Sequence, residues 1–328
     1  MRSLNYSLLL VACLGLAGCS RSTAVDVLDI SKPSRETTSS ILPSSLTPPA
    51  PVAASAAASP APIALAEPDR LQSQALEQVA MVAPPRPSAP QRSEGGRRTV
   101  YGARFKDAHP IAFGRITPSH HAIHGVDVSR WQGNMDWETL RQQGANFAFI
   151  KATDGGDHVD PMFRKNWDGA EAAGIRRGAY HFFYWCRVAS EQADWFIRNV
   201  PKDPTALPPV IDVEWNHLSS CKKRPSRAVV LEKMQVFMDR LEAHYGQRPI
   251  IYTAPDFYED NLKGAFPNHP FWLRSVAQHP SKVYPNREWL FWQYSGSGLS
   301  KGVTGRIDLN VFHGSEREWH RWVGRVSS

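Results

Sequence analysis

An α/β fold of the modified (β/α) TIM-like barrel type, irregular in its C-terminal strands, is predicted for residues 122–326, preceded by a disordered tether. Three observations carry that reading. Short apolar runs alternate with helical patterns, as strands joined by crossover helices do. Eight such runs suit a closed barrel better than an open sheet. Several of the helical patterns end at a glycine, a common helix stop.

In chain order, HGVDVS (124–129) reads as a strand and DWETLRQQG (136–144) as a helix. FAFIKAT (147–153) is a strand and FRKNWDGAEAAG (163–174) a helix. RGAYHFFYW (177–185) is a strand, followed by SEQADWFIRNV (190–200), a helix with Ser190 as its N-cap. PPVIDVEW (208–215) is a strand, and the long helix 226–246 is capped by Ser226. The last four strands are PIIYTA (249–254), PFWLRSV (270–276), LFWQYS (290–295) and IDLNVF (307–312). Helical patterns thin out after residue 246. No Gly-rich phosphate loop follows any strand, so no nucleotide cofactor is expected, nor any other.

The first third of the chain has another texture. Arg2 and the apolar run LLLVACLGLAG precede Cys19. That run is shorter than the about 20 apolar residues of a spanning helix. Leu16-Ala17-Gly18-Cys19 resembles a bacterial lipoprotein signal, which implies cleavage after residue 18 and lipidation of Cys19. Ser20, rather than Asp, follows it, and points to an outer-membrane anchor facing the periplasm. Residues 19–121 are expected to be a tether. Its bulk is rich in Pro, Ala and Ser and cannot bury enough apolar area to offset the entropy of ordering; the basic stretch 97–107 is transitional. Once Cys13 leaves with the signal and Cys19 is lipidated, Cys186 and Cys221 remain, an even pair expected to form a disulfide in an exported protein.

The net charge of +7 over 328 residues comes without a dense Lys/Arg block. It gives little support to a nucleic-acid partner and suits an anionic polymer. No oligomer signal stands out, so a monomer is expected.

Asp212 and Glu214 interrupt an otherwise apolar strand. Residues two apart share a strand face, so both point one way and Ile211 and Val213 the other. In a barrel the acids face the axis near the C-terminal mouth, where such folds place their chemistry. Asp127 at the end of the first strand and Asp308 at the start of the last are further candidates for that mouth, because those strands adjoin on closure. Tyr180, Phe182, Tyr184, Trp185, Trp215, Tyr252, Trp292 and Tyr294 lie on or just beyond the strands, as platforms for a sugar ring or as core packing. HHAIH (120–124) lacks a carboxylate partner at helix spacing, and DGGDHVD (154–160) misses the calcium-loop pattern, so no metal is expected.

GVDVSRWQG, FAFIKATDG, GIRRGAYHFF, PPVIDVEW, PIIYT and the FWQYSGSG…GRIDLNVF pair together resemble glycoside hydrolase family 25, the Chalaropsis-type lysozymes or N-acetylmuramidases, across residues 124–313. The resemblance implies a modified barrel that hydrolyses the β-1,4 bond between N-acetylmuramic acid and N-acetylglucosamine in peptidoglycan strands. It implies Glu214 as general acid and Asp212 as the carboxylate that stabilises an N-acetyl-assisted intermediate. Asp127 and Asp308 match further active-site acids, and Tyr180, Phe182, Tyr184, Trp215, Tyr252, Trp292 and Tyr294 are the candidate substrate platforms. The chain departs from the family pattern at Asp154, often Glu, and at Arg274 and Ser275, where small and aromatic residues are usual. The other functions considered are a non-catalytic glycan-binding envelope lipoprotein and a hydrolase of another envelope polysaccharide.

Overall fold

The computed structural model describes residues 98–216 and 221–326; the signal segment, Cys19, most of the expected tether and His217 lie outside the described residues. The strands are β1 (Lys106–Asp107), β2 (His124–Val128), β3 (Phe147–Asp154), β4 (His158–Val159), β5 (Arg176–Phe182), β6 (Val210–Val213), β7 (Ile250–Thr253), β8 (Phe271–Arg274), β9 (Phe291–Leu299) and β10 (Ile307–Phe312). The helices are α1 (Trp137–Gln142), α2 (Phe163–Ala172), α3 (Ala189–Asn199), α4 (Arg227–Tyr245), α5 (Pro255–Phe257), α6 (Pro280–Val283) and α7 (Glu316–Val326). Among the described residues no helix is long and apolar enough to cross a membrane.

Eight strands close a barrel in the order β2-β3-β5-β6-β7-β8-β9-β10. All neighbours are parallel from β2 round to β9, but β10 runs antiparallel to both β9 and β2. The irregularity expected of the C-terminal strands takes the form of this antiparallel seam. Only residues 300–306 join β9 to β10, too short a link for a crossover helix, so the chain simply turns back. This reversal has a consequence for the site. The start of β10, not its end, lies at the mouth, and Asp308 pairs directly with Asp127.

Two cores follow from strand alternation. Val126, Val128, Ile211, Val213, Leu273 and Trp292 point outward and pack under the helices. Phe147, Phe149, Tyr180, Tyr252, Trp272, Phe291 and Phe312 point inward. A β-carbon on inward Gly125 would sit 2.5 Å from the Phe147 carbonyl oxygen, and one on Gly178 would sit 2.9 Å from the Phe149 ring. Glycine at these positions makes room for the two phenylalanines. Helix α7, unforeseen in the strand pattern, closes the floor with Trp319 and Val323.

The tether was expected to reach residue 121, yet residues 99–121 lie against the barrel. Tyr101 and Asn146 exchange two hydrogen bonds of 2.9 Å, Arg141 covers the Tyr101 ring, and β1 pairs with the end of β9. Phe113 packs edge-on to Trp292 at 4.9 Å. These backbone and ring contacts, rather than burial of its own side chains, hold a segment with little secondary structure of its own. Helix α3 starts elsewhere than expected. It begins at Ala189 with Val188 at the cap position, so Ser190 lies inside the first turn. Ser226 does sit at the N-cap of α4, without a side-chain cap bond.

Candidate active site

Period-two alternation on β6 brings Asp212 inward and buried, with Glu214 just past the strand and partly exposed. Asp212 lies between Phe182 on β5 and Tyr252 on β7 in the strand register. Burial raises both carboxyls: Glu214 is pushed up to about 7, and Asp212 is held well above the usual range by burial and then by the Glu214 charge. The Oδ1 atom of Asp212 is buried and has no hydrogen-bond partner among the described residues. Such an orphan is costly, and it marks a place for a donor that arrives with a ligand.

Across the mouth Asp127 is firmly held. Its Oδ2 accepts from Gln293 Nε2 at 2.9 Å and from Asn310 Nδ2 at 2.7 Å. Trp272 Nε1 can only donate, and it donates to Asn310 Oδ1 at 2.8 Å, which turns the amide nitrogen toward Asp127. The Tyr252 hydroxyl donates to Gln293 Oε1 at 2.9 Å and orients that amide in the same sense. Burial nevertheless raises Asp127 to about 6, against the lowering effect of the amide donors, of Arg274 and of a hydrogen bond with Asp308.

Two cations complete the mouth. Lys151, buried on β3, has its Nζ 2.8 Å from Asp154 Oδ2 and 5.2 Å from the centre of the Phe182 ring. Arg274 ends β8; its charge favours the ionised forms of Glu214 and Asp127. Lys151, Gln293, Asn310 and Trp272 were not singled out from the sequence. The signal was there for Asn310, two residues after Asp308 on one strand face, and for Lys151, a charge inside an apolar strand.

The aromatic candidates divide. Tyr180, Phe182 and Tyr252 face the barrel interior, and Tyr184 stands half-buried at the rim. Trp292 and Tyr294 do not reach the mouth. They alternate with inward Gln293, so both point outward; Trp292 is fully buried and donates to the Ser275 carbonyl at 2.8 Å. Trp215 belongs to the outer core as well. Trp185 and Phe257 pack against it, Arg224 lies over its ring at 4.9 Å, and its Nε1 donates to Asp260 at 2.8 Å. These three serve packing. Cys186 and Cys221 form a disulfide with Cα atoms 5.6 Å apart, which ties the β5 loop to the segment beyond β6. Among the described residues no group of three or more His, Cys, Asp or Glu side chains is arranged to hold a metal ion.

A closed barrel with clustered, pKa-shifted carboxyls at the C-terminal ends of its strands has the makings of a sugar hydrolase site. The family model for the glycosyl hydrolases of family 25 matches residues 126–303, and the chain belongs to that family of glycoside hydrolases. The uncharacterized protein YegX of Escherichia coli (strain K12) is 38% identical over 231 residues, 68% of this chain and 81% of that one. Lysozyme M1 of Streptomyces globisporus is 35% identical over 204 residues, 59% of this chain and 68% of its own. A solved family 25 glycosyl hydrolase from Bacillus anthracis is 41% identical, with a TM-score of 0.60 over 66% of this chain and 98% of that one.

Proposed function

We propose that the chain is a lysozyme-type muramidase that cleaves the β-1,4 bond between N-acetylmuramic acid and N-acetylglucosamine in peptidoglycan. Membership of family 25 and the similarity to Lysozyme M1 support this reading. The observation that carries it is the carboxyl pair of β6. Glu214, raised to about 7, keeps its proton near neutrality and can give it to the leaving glycosidic oxygen. Asp212 offers the unpartnered Oδ1. An acetamido N–H donating there favours ionised Asp212 and leaves the proton of the pair on Glu214. As the glycosidic C–O bond breaks, the acetamido oxygen attacks C1 and the leaving oxygen takes the Glu214 proton. Asp212 stabilises the resulting cation. Water then attacks C1, the C1–O bond to the acetamido oxygen breaks and restores the amide, and the water's proton returns to Glu214. Asp127 and Asp308 hold the field of the mouth and position the sugar.

Glu214→Gln tests the assignment. It removes the acid without changing shape, and new reducing ends from purified sacculi should fall by about 10²–10⁴-fold. Undiminished hydrolysis would sink the role given to Glu214. Residues 16–20 support a lipid on Cys19 and an outer-membrane position facing the periplasm.

A further inference from the structure

Arg274 lies within the acid-lined mouth, yet the hydrogen-bond network there does not use it. Trp272, two residues earlier on β8, is inside the barrel against Phe149 and Tyr252, and Leu273 between them is in the outer core. Alternation therefore turns Arg274 inward, at the level of its strand partner Gln293. Its backbone is anchored, since the Tyr284 hydroxyl donates to its carbonyl at 2.6 Å. Its guanidinium forms no hydrogen bond or ion pair among the described residues, although Tyr252, Glu214 and Asp308 favour its charged form. Two nearby acids make no call on it: Asp127 is held by two amides and Asp308, and Asp154 by Lys151.

A mouth lined by Asp127, Asp212, Glu214 and Asp308 repels an anionic substrate. Muramic acid is such a substrate: its 3-O-lactyl arm bears a carboxyl, free on bare strands and extended by a stem peptide with carboxylates of its own on others. Of the two cations whose charge reaches Glu214, Lys151 is tied to Asp154, which leaves Arg274. A guanidinium with its fork open matches a carboxylate with two parallel hydrogen bonds. We infer that Arg274 is the substrate-carboxylate receptor of this groove, a specificity determinant that selects acid-bearing muramyl residues. The inference rests on the muramidase reading.

The full chain is assayed on three sets of strands: peptide-free with the lactyl acid free, the same strands with that acid converted to the methylamide, and stem-bearing strands. One charge-assisted pair is worth about tenfold in kcat/KM, so the wild type should prefer an acid-bearing set over the methylamide by about that factor, mainly through KM. Arg274→Gln and Arg274→Ala should abolish the preference while melting like the wild type, and Arg274→Lys should keep part of it. Preference for the free lactyl acid identifies that group as the anion; preference confined to stem-bearing strands identifies the stem. Equal loss on all three sets, or a preference that survives Arg274→Gln, would overturn the proposal. Wild-type cleavage of all sets without preference overturns it alone, whereas cleavage of none overturns the muramidase reading with it.

Discussion

At the floor of the barrel Phe147 meets Phe291 at 4.9 Å and Trp319 at 5.7 Å, and Phe312 meets Trp319 at 5.1 Å. At the mouth the same strands present Asp127, Asp212, Asn310, Lys151 and Gln293, all buried, with Glu214, Asp308 and Arg274 partly exposed among them. The floor is built mainly of packed rings and gains from each one. The mouth holds carboxyls that burial pushes toward neutrality, and one oxygen of Asp212 without a partner. One closed sheet thus stabilises the fold at one end and carries a destabilised, reactive arrangement at the other. The two ends should respond oppositely to mutation.

The largest effect on stability belongs to the floor. Trp319→Ala removes the ring that α7 inserts beneath Phe147 and Phe312, and the cavity should cost about 3–5 kcal/mol in denaturant unfolding. Activity per folded molecule, measured at low temperature, should stay near that of the wild type. A loss of turnover in protein that is still folded would break the separation between floor and mouth.

Glu214→Gln should do the reverse, losing activity and gaining stability. A carboxyl raised to about 7 binds its proton more tightly in the folded chain than in the unfolded one. Its stabilising contribution is therefore complete below the ordinary carboxylate range and is lost as pH rises to about 7. Wild type and variant should unfold alike near about pH 4, and the variant should be more stable by about 2 kcal/mol near about pH 8. The wild-type kcat/KM should fall on the same alkaline limb as Glu214 loses its proton. Thermal melts across that range check the sign, and parallel curves would show that Glu214 is not strained by burial.

How much of this was legible in the sequence depends on which force acts. Strand alternation is local, so the inward pair Asp212 and Glu214 and the outward pair Ile211 and Val213 could be read directly. The same rule applied to LFWQYS would have placed Trp292 and Tyr294 outward once Gln293 was taken as inward, but aromatic side chains suit either face. The reversal of β10 is a tertiary outcome: IDLNVF has the same pattern in either direction, and only closure against β2 sets its sense. Residues 99–121 carry little periodicity because the barrel surface, not their own pattern, orders them. The Gln293–Asp127–Asn310 network joins three strands far apart in sequence, and no local signal announces it. Cys186 and Cys221 were legible because few thiols remained to choose from.

The smallest predicted effect lies at the boundary between the two ends. Trp272 stacks on Phe149 at 4.5 Å, and its Nε1 donates to Asn310 at 2.8 Å. Trp272→Phe keeps an aromatic ring on Phe149 and deletes the donor. Stability should fall by about 1 kcal/mol, the net worth of one hydrogen bond. Without that donor the buried Asn310 amide loses the contact that fixes which of its atoms faces Asp127. Asp127 then keeps Gln293 and loses its hold on the second donor, so its carboxyl rises above about 6. The activity profile should shift on its acid side, with kcat lowered by about three- to tenfold, a barrier increase of about 1 kcal/mol. If the variant is destabilised with an unchanged pH profile, Trp272 belongs wholly to the floor and the mouth begins one layer higher, at Gln293 and Asn310.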